Sequence, residues 1–405
     1  MRKNNSKIFL LILLGMLTAF GPFVTDMYLP SLPSMSQYFS ARSSMVQLGL
    51  TTSMIGLAVG QIFFGPLSDR YGRRLPLVVA MWLFIASTLL CLFSQNIHQF
   101  VAFRLIQGIA GAGGIVIARS VATDCFSGRE LAKMLAIIGA INGVAPVVAP
   151  IIGGLFTEAI GWQGIFGILL VLGIILLAGS YRFRESLPKE NRLATRWADT
   201  FRNFKVVLCN RKYVCYVLQL AFAQGVLFGY IASSPFIVQQ HFGYSALAFS
   251  LCFSINAVAI GSAAALSVKF RRAVSGTLAG CVGMLIFAVF ECVALMTGCN
   301  FWTYELLLIV LLFMMGLTFT TSTILAMECE RENAGTASAL LGAVCFAAGG
   351  IVSPLVGINN ILMSTGVAFV ACALCSLCCV LLALGKRRVR LYFNPAKLPP
   401  SQLSV

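Results

Sequence analysis

The sequence predicts an all-α integral membrane protein whose twelve transmembrane helices form two similar six-helix bundles. Three observations carry this. The 405 residues are 59% hydrophobic and only 10% charged, where a soluble globular chain carries about 25% charged residues. The apolar residues fall in runs long enough to cross a bilayer. The basic residues gather in alternate gaps between those runs, as they do when a chain threads a membrane repeatedly.

A spanning helix needs about 20 mostly apolar residues. On that criterion the spans are 8–29, 44–66, 76–94, 98–120, 132–156, 162–181, 213–238, 245–268, 274–296, 302–327, 334–358 and 362–385. Very short links join spans 3 and 4, 5 and 6, 9 and 10, and 11 and 12. The segment Met1 to Val24 has the basic start and apolar run of a signal peptide. No small-x-small cleavage pattern follows it, and comparable runs recur along the chain, so it reads as the first span.

The net charge of +16 follows from topology. With the N-terminus in the cytoplasm, all but two of the 29 Lys and Arg residues fall in cytoplasmic segments, the exceptions being Arg42 and Arg104. Positive residues favour that side, and an odd number of spans would scramble the pattern. The charge is spread over short loops and forms no patch on a soluble fold, so no nucleic-acid partner is expected. The longest cytoplasmic segment divides the chain into a first bundle (1–181), a linker (182–212) and a second bundle with its tail (213–405). In the linker Trp197, Phe201, Phe204 and Leu208 recur at helical spacing among Arg196, Arg202 and Lys205, the pattern of an amphipathic helix on the inner membrane surface.

The bundles resemble each other. Leu67-Ser68-Asp69-Arg70-Tyr71-Gly72-Arg73 aligns with Leu266-Ser267-Val268-Lys269-Phe270-Arg271-Arg272, and Ala149-Pro150-Ile151-Ile152-Gly153 with Ser353-Pro354-Leu355-Val356-Gly357. Duplicated helical units are a transporter signature. Most of the fourteen cysteines lie inside apolar runs, where cysteine acts as a small apolar residue. Cys372, Cys375, Cys378 and Cys379 cluster, but no His or acid accompanies them, so no metal site is expected.

Between spans 2 and 3 stands Gly65-Pro66-Leu67-Ser68-Asp69-Arg70-Tyr71-Gly72-Arg73-Arg74. Gly72 permits an unusual backbone angle. Asp69 suits the positive end of a helix from the other bundle, with span 11, beginning near Ala334, the candidate. Arg73 is expected to pair with Asp124 at the inner end of span 4, so that the loop locks an inner gate. This loop resembles the G-x-L-x-D-R-x-G-R-R/K pattern of the major facilitator superfamily. Arg104-Leu105-Ile106-Gln107-Gly108 in span 4 resembles that superfamily's R-x-x-Q-G element, and a charge within a span marks function. Thr25-Asp26-Met27-Tyr28-Leu29-Pro30 in span 1 is similar to the element of the Bcr/CflA group of drug–proton antiporters. Asp26 and Arg104 have comparable depths and are expected to meet, with Asp26 as the proton-coupling acid.

Span 5 carries Ala149-Pro150-Ile151-Ile152-Gly153-Gly154. It resembles the antiporter element G-x-x-x-G-P-x-x-G-G, with Ala149 in place of a glycine. Pro150 is expected to bend the helix and Gly153 and Gly154 to permit close contact. The small-residue run Ala334 to Leu340 also resembles the Bcr/CflA group. Gly108, Gly111, Gly113 and Gly114 read as helix-packing positions rather than a nucleotide loop. Tyr28, Gln61, Gln107, Asn142, Gln224, Tyr230, Asn256 and Thr318 are candidates for a cavity lining, with helix–helix hydrogen bonds the competing role. Glu291 and Glu305 read as interfacial residues near the outer surface.

No nucleophile–base set, metal-ligand array or phosphate loop is evident, so neither an enzyme nor a cofactor is expected. The resemblance implies a monomeric, proton-coupled exporter of small amphipathic or cationic compounds in the bacterial inner membrane. Its partners would be a small-molecule substrate, protons and the lipid bilayer. The rival readings are an exporter of an endogenous metabolite, such as an amino acid or peptide, and a transport-inactive sensor or scaffold.

Overall fold

A computed structural model of the chain describes residues 5–192, 205–270, 272–330, 334–358 and 360–393. The helices are α1 (Lys7–Asp26), α2 (Leu32–Tyr38), α3 (Ser43–Tyr71), α4 (Arg74–Leu92), α5 (Ile97–Cys125), α6 (Gly128–Arg182), α7 (Arg211–Phe236), α8 (Ala246–Ser267), α9 (Ala273–Thr297), α10 (Phe301–Cys329), α11 (Ala334–Leu355) and α12 (Ile361–Phe393). No strand occurs among the described residues. Side-chain oxygens of Asn96, Asn210, Ser245 and Asn300 accept from backbone N–H groups in the first turns of α5, α7, α8 and α10. This is the ordinary way in which Asn and Ser start a helix.

Among the described residues eleven helices are long and apolar enough to cross a membrane, and one of them serves twice. The 55 residues of α6 would extend about 80 Å at about 1.5 Å per residue, far beyond a hydrocarbon core of about 30 Å. Gly161, at φ 66° and ψ −177°, breaks the helix with a backbone angle that only glycine adopts readily. The chain therefore has twelve spans, with the fifth and sixth divided where the sequence placed the gap.

The first span differs from expectation at its outer end. α1 stops at Asp26, a 3₁₀ turn (Leu29–Ser31) follows, and α2 carries on to Tyr38. Pro30 and Pro33 disfavour α-helical geometry in the residues before them, so the helix is interrupted while the apolar segment continues over Lys7–Tyr38. Asp26 is consequently followed by twelve further residues of the same apolar segment.

Helices α1 and α3 to α6 pack chiefly on one another, and so do α7 to α12. The tightest pair is α3 with α5. A Cβ on Gly108 would fall 2.0 Å from the Ser53 carbonyl oxygen, and one on Gly56 would fall 2.3 Å from that of Leu105. Small residues bring these backbones together.

Two antiparallel pairs join the halves, α3 with α11 and α6 with α8. They are equivalent. A Cβ on Gly154 would meet Ser250 and the Ala246 carbonyl, and one on Gly357 would meet Gln47 and Ser44. One sequence offset relates Gly154 to Gly357 and Gln47 to Ser250, so the contact is repeated, one residue away from the sequence alignment that set Gly153 against Gly357.

The face that holds Lys7, Arg73, Arg184 and Lys269 is called the basic face below. At the far face the halves are tied together. Gln47 Nε2 donates to the Ala232 carbonyl (2.9 Å), Gln239 Nε2 to that of Pro30 (3.0 Å), and Ser254 Oγ to that of Val147 (2.9 Å). Toward the basic face α6 and α8 separate. Gly143 and Gly261 have open space beside them, and Val144 and Val258 are 56% and 58% exposed. The conformation is closed at the far face and parted at the basic face.

Candidate functional site

Asp26 occupies the last turn of α1 and is buried. The C-terminal end of a helix is its negative pole, where a cation is favoured and a carboxylate is not. No Lys or Arg forms an ion pair with Asp26 among the described residues. The expected contact with Arg104 is therefore absent in this conformation.

Arg104 is fully buried and engaged elsewhere. Nε donates to the Gly49 carbonyl (3.3 Å), one terminal nitrogen to that of Val24 (3.1 Å), and the other to Gln107 Oε1 (2.5 Å). Its Cζ lies 4.4 Å from the centre of the Tyr28 ring, a cation–π contact. Arg104 thus ties α1 and α3 to α5. Gln107 is spent in the same network, donating to Thr88 Oγ1 (2.7 Å). Sequence reasoning matched Asp26 and Arg104 by depth along straight helices. It could not see that backbone carbonyls would fill the guanidinium fork.

The loop between α3 and α4 is a hub on Arg73, which is buried although charged. Its guanidinium meets Asp124 (2.8 Å), Asp69 (2.5 Å) and Ser68 Oγ (2.8 Å). The Arg73–Asp124 pair expected from the sequence is present. Asp69 pairs with Arg73 in its own loop. The side chains of Ala334 and Gly335, at the helix start proposed for Asp69, lie outside the described residues. Sequence reasoning missed Glu185, whose carboxylate accepts from the backbone N–H groups of Arg73 and Arg74 (2.8 and 3.2 Å) and lies 3.7 Å from Arg192. Gly72 has φ 89°, and a Cβ there would fall 2.4 Å from Glu185 Oε2. Arg74 donates to the Tyr181 carbonyl (2.7 Å), while Arg70 stands over the Tyr71 ring. The loop is therefore bolted to the start of the linker. The remaining linker residues named above, Arg196, Trp197, Phe201, Arg202 and Phe204, lie outside the described residues.

On α6, the α-helical backbone continues through Pro150, and the one non-helical residue is Gly161. Gly153 touches its own half, since a Cβ would fall 1.9 Å from the Met27 carbonyl oxygen, whereas Gly154 touches the other half. Gly65 has no such tight neighbour.

The cavity candidates divide. Tyr28 is held under Arg104, and Thr318 is buried where Gly280 of α9 meets α10; both have packing roles. Gln61 is half-buried beside Gly342 of α11. Gln224 is half-buried with Oε1 unpartnered. The Asn142 side chain lies outside the described residues. Tyr230 and Asn256 come together, with Asn256 Nδ2 donating to Tyr230 Oη (3.1 Å) and to Glu305 Oε1 (2.9 Å). Glu305 and Glu291 are buried, not interfacial. The sequence hid this because both stand near helix ends, and only packing decides which face turns inward. Gln47 and Gln239 were also missed as ties between the halves. Mid-span polarity was the one available signal for Gln47.

A model of the Major Facilitator Superfamily matches residues 11–354. YdgK, an uncharacterized MFS-type transporter of Bacillus subtilis (strain 168), is 37% identical over 364 residues, 88% of this chain and 90% of the relative. A bicyclomycin resistance protein homolog of Haemophilus influenzae is 30% identical over 363 residues, 88% and 90% of the two chains. The crystal structure of a bacterial homolog of the human lysosomal transporter Spinster, inward-facing and unoccupied, superimposes with a TM-score of 0.72 at 18% identity, covering 96% of this chain and 97% of that one. Twelve spans, the Asp69–Gly72–Arg73 loop, the repeated contact between halves and this match along most of the sequence have one common explanation: the chain belongs to the Major Facilitator Superfamily and is a transporter, not an enzyme.

Proposed function

We propose that this transporter is a proton-coupled exporter of small amphipathic or cationic compounds, acting as a monomer in the bacterial inner membrane. The basic face is cytoplasmic on the positive-inside rule, which puts both termini in the cytoplasm and makes this conformation inward-facing. Residues 1–181 and 213–405 rock against each other about the central site, joined by 182–212.

The observation that carries the reading is Asp26, a buried carboxylate at the negative end of α1 with no cation paired to it among the described residues. A buried charge without a partner is costly, so its partner has to come from outside the protein. A proton and the cationic group of a substrate are the two candidates, and one carboxylate cannot hold both. Their mutual exclusion couples outward movement of substrate to inward movement of protons. The Arg104 clamp holds the turn on which Asp26 sits. The name of the Haemophilus relative, which speaks of bicyclomycin resistance, supports the drug-like substrate class.

Purified protein in proteoliposomes, with a proton gradient as the sole energy source and a lipophilic cationic dye as cargo, tests this. Wild type is expected to concentrate the dye. Asp26→Asn is expected to retain downhill movement and lose accumulation. Accumulation by Asp26→Asn would remove the role assigned to Asp26.

A further inference from the structure

The second half contains buried acids that the reading above does not use. α9 and α10 are antiparallel neighbours. Gly276 faces Thr321, Gly280 faces Met314 to Thr318, and Gly283 faces Met314, a register that sets Glu291 against Glu305. Glu291 is 0% exposed and Glu305 6%. Neither forms an ion pair among the described residues. Between residues 213 and 385 the only Lys and Arg are Lys269, Arg271, Arg272 and Arg331. Lys269 and Arg272 stand in the link between α8 and α9 at the basic face, and Arg271 and Arg331 lie outside the described residues, whereas Glu291 and Glu305 lie within about 9 Å of the far ends of their helices at about 1.5 Å per residue.

Two orphaned groups show what is missing. Both Glu291 oxygens are without accessible surface and without a hydrogen-bond partner, and Asn256 Oδ1 is buried and lacks a donor. Asn256 is aimed into the cluster, because its Nδ2 already serves Glu305 and Tyr230. Two acids and an amide oxygen therefore share a space that contains no cation. Among the described residues, the other titratable groups near it supply no cation. They are Tyr230 on α7, Cys252 on α8, Cys292 on α9, Cys299 in the following turn and Tyr304 on α10. α12, which places Gly366 against Cys292, has no charged residue from 361 to 384. His241 is exposed and separated from Tyr304 by the Phe242 ring. The smallest cation is the one that fits beside oxygens with no free surface, and paired carboxyls commonly share one proton.

We propose that Glu291 and Glu305 form a second proton-holding site in the C-terminal half, distinct from Asp26, linked toward the centre of the transporter by Asn256 and Tyr230. One exchangeable proton rests on Glu291 while Glu305 accepts from Asn256. When the proton passes to Glu305, its O–H becomes the donor for Asn256 Oδ1. Cys299, half-buried in the turn at the far face and close to Glu291, marks the side of entry.

Infrared difference spectroscopy of the purified full-length protein tests the site without transport. The carboxylic C=O stretch is expected at neutral pH, to shift in D2O and to fade on alkalinisation. It should persist in Asp26→Asn and lose a component in Glu291→Gln. A Glu291→Gln spectrum identical to wild type would overturn the proposal. So would a component that neither exchanges in D2O nor responds to pH, since that describes a fixed structural acid. Glu305→Gln, which keeps a hydrogen-bonding partner for Asn256, is the second variant if Glu291→Gln melts early; in the Asp26→Asn background it is expected to remove the pH response of the glutamate component. The transport arm alone rests on the proton-coupled reading: reversal potentials in proteoliposomes should give one proton fewer per cycle in Glu291→Gln. Loss of coupling in Asp26→Asn with an unchanged ratio in Glu291→Gln would sink this site and leave that reading standing.

Discussion

Two adjacent glycines offer a test of how the halves move. A Cβ added at Gly154 would lie 2.3 Å from Ser250 Oγ, 2.9 Å from Ser250 Cβ and 2.9 Å from the Ala246 carbonyl oxygen. The hydroxyl can rotate away, but the backbone oxygen cannot. Carbon contacts are comfortable at about 3.5–4.0 Å, so α6 and α8 must part by roughly 0.5–1 Å. Overpacking of this kind costs about 1–3 kcal/mol. The cost falls only on the conformation closed at the far face, because Gly154 contacts the opposite half. Alanine's advantage in helix propensity, about 1 kcal/mol, applies to both conformations and cancels. Gly154→Ala is thus expected to shift the equilibrium away from the present conformation by about 5- to 150-fold. Gly153→Ala is the control, since its Cβ would lie 1.9 Å from the Met27 carbonyl oxygen within the same half. It should lower stability in every conformation and leave the balance alone. Hydrogen–deuterium exchange with peptide-level mass spectrometry, paired with thermal unfolding, reads both. Gly154→Ala should raise exchange in peptides covering 28–47 and 246–254 with little change in melting, and Gly153→Ala should do the reverse. A folded Gly154→Ala protein with wild-type exchange at both faces would refute the argument.

Arg104→Lys should lower the unfolding temperature more than Asp26→Asn does. Lysine cannot span the Gly49, Val24 and Gln107 acceptors, and each buried acceptor left bare costs about 1–3 kcal/mol. Equal melting of the two variants would show that the clamp is dispensable. Gly72→Ala combines a positive φ with a clash against Glu185, strain on the order of 1–3 kcal/mol. It should release the linker start and speed proteolysis near residues 185–192, as Glu185→Ala should, and unchanged digestion of both would count against the bolt.

The spans, the gate loop and the acid in the first span were legible because each rests on local chemistry. Twenty apolar residues in a row can satisfy their backbone in lipid only as a helix, and a Gly-x-Leu-x-Asp-Arg-x-Gly string has few other uses. Legibility failed where partners come from other helices. Arg104 was assigned to Asp26 because opposite charges at equal depth invite pairing. Three acceptors, two of them backbone carbonyls invisible in any sequence pattern, hold it instead. For Gln107 polarity left a cavity lining and a helix–helix hydrogen bond both open, and its contacts with Arg104 and Thr88 are of the second kind; Thr318 donates to the Met315 carbonyl of its own helix.

The sequence by itself determined how many times the chain crosses the membrane, where it breaks and which face is basic, since these follow from hydropathy, glycine and charge along one dimension. Tertiary structure alone decided that Glu291 and Glu305 face each other in the interior, that Glu185 secures the gate loop, and that the halves meet at the far face and part at the basic one. Those outcomes depend on the rotation and register of helices distant in sequence. Lipid is as apolar as the side chains it solvates, so hydrophobicity does not encode them, and shape and hydrogen bonding between helices do.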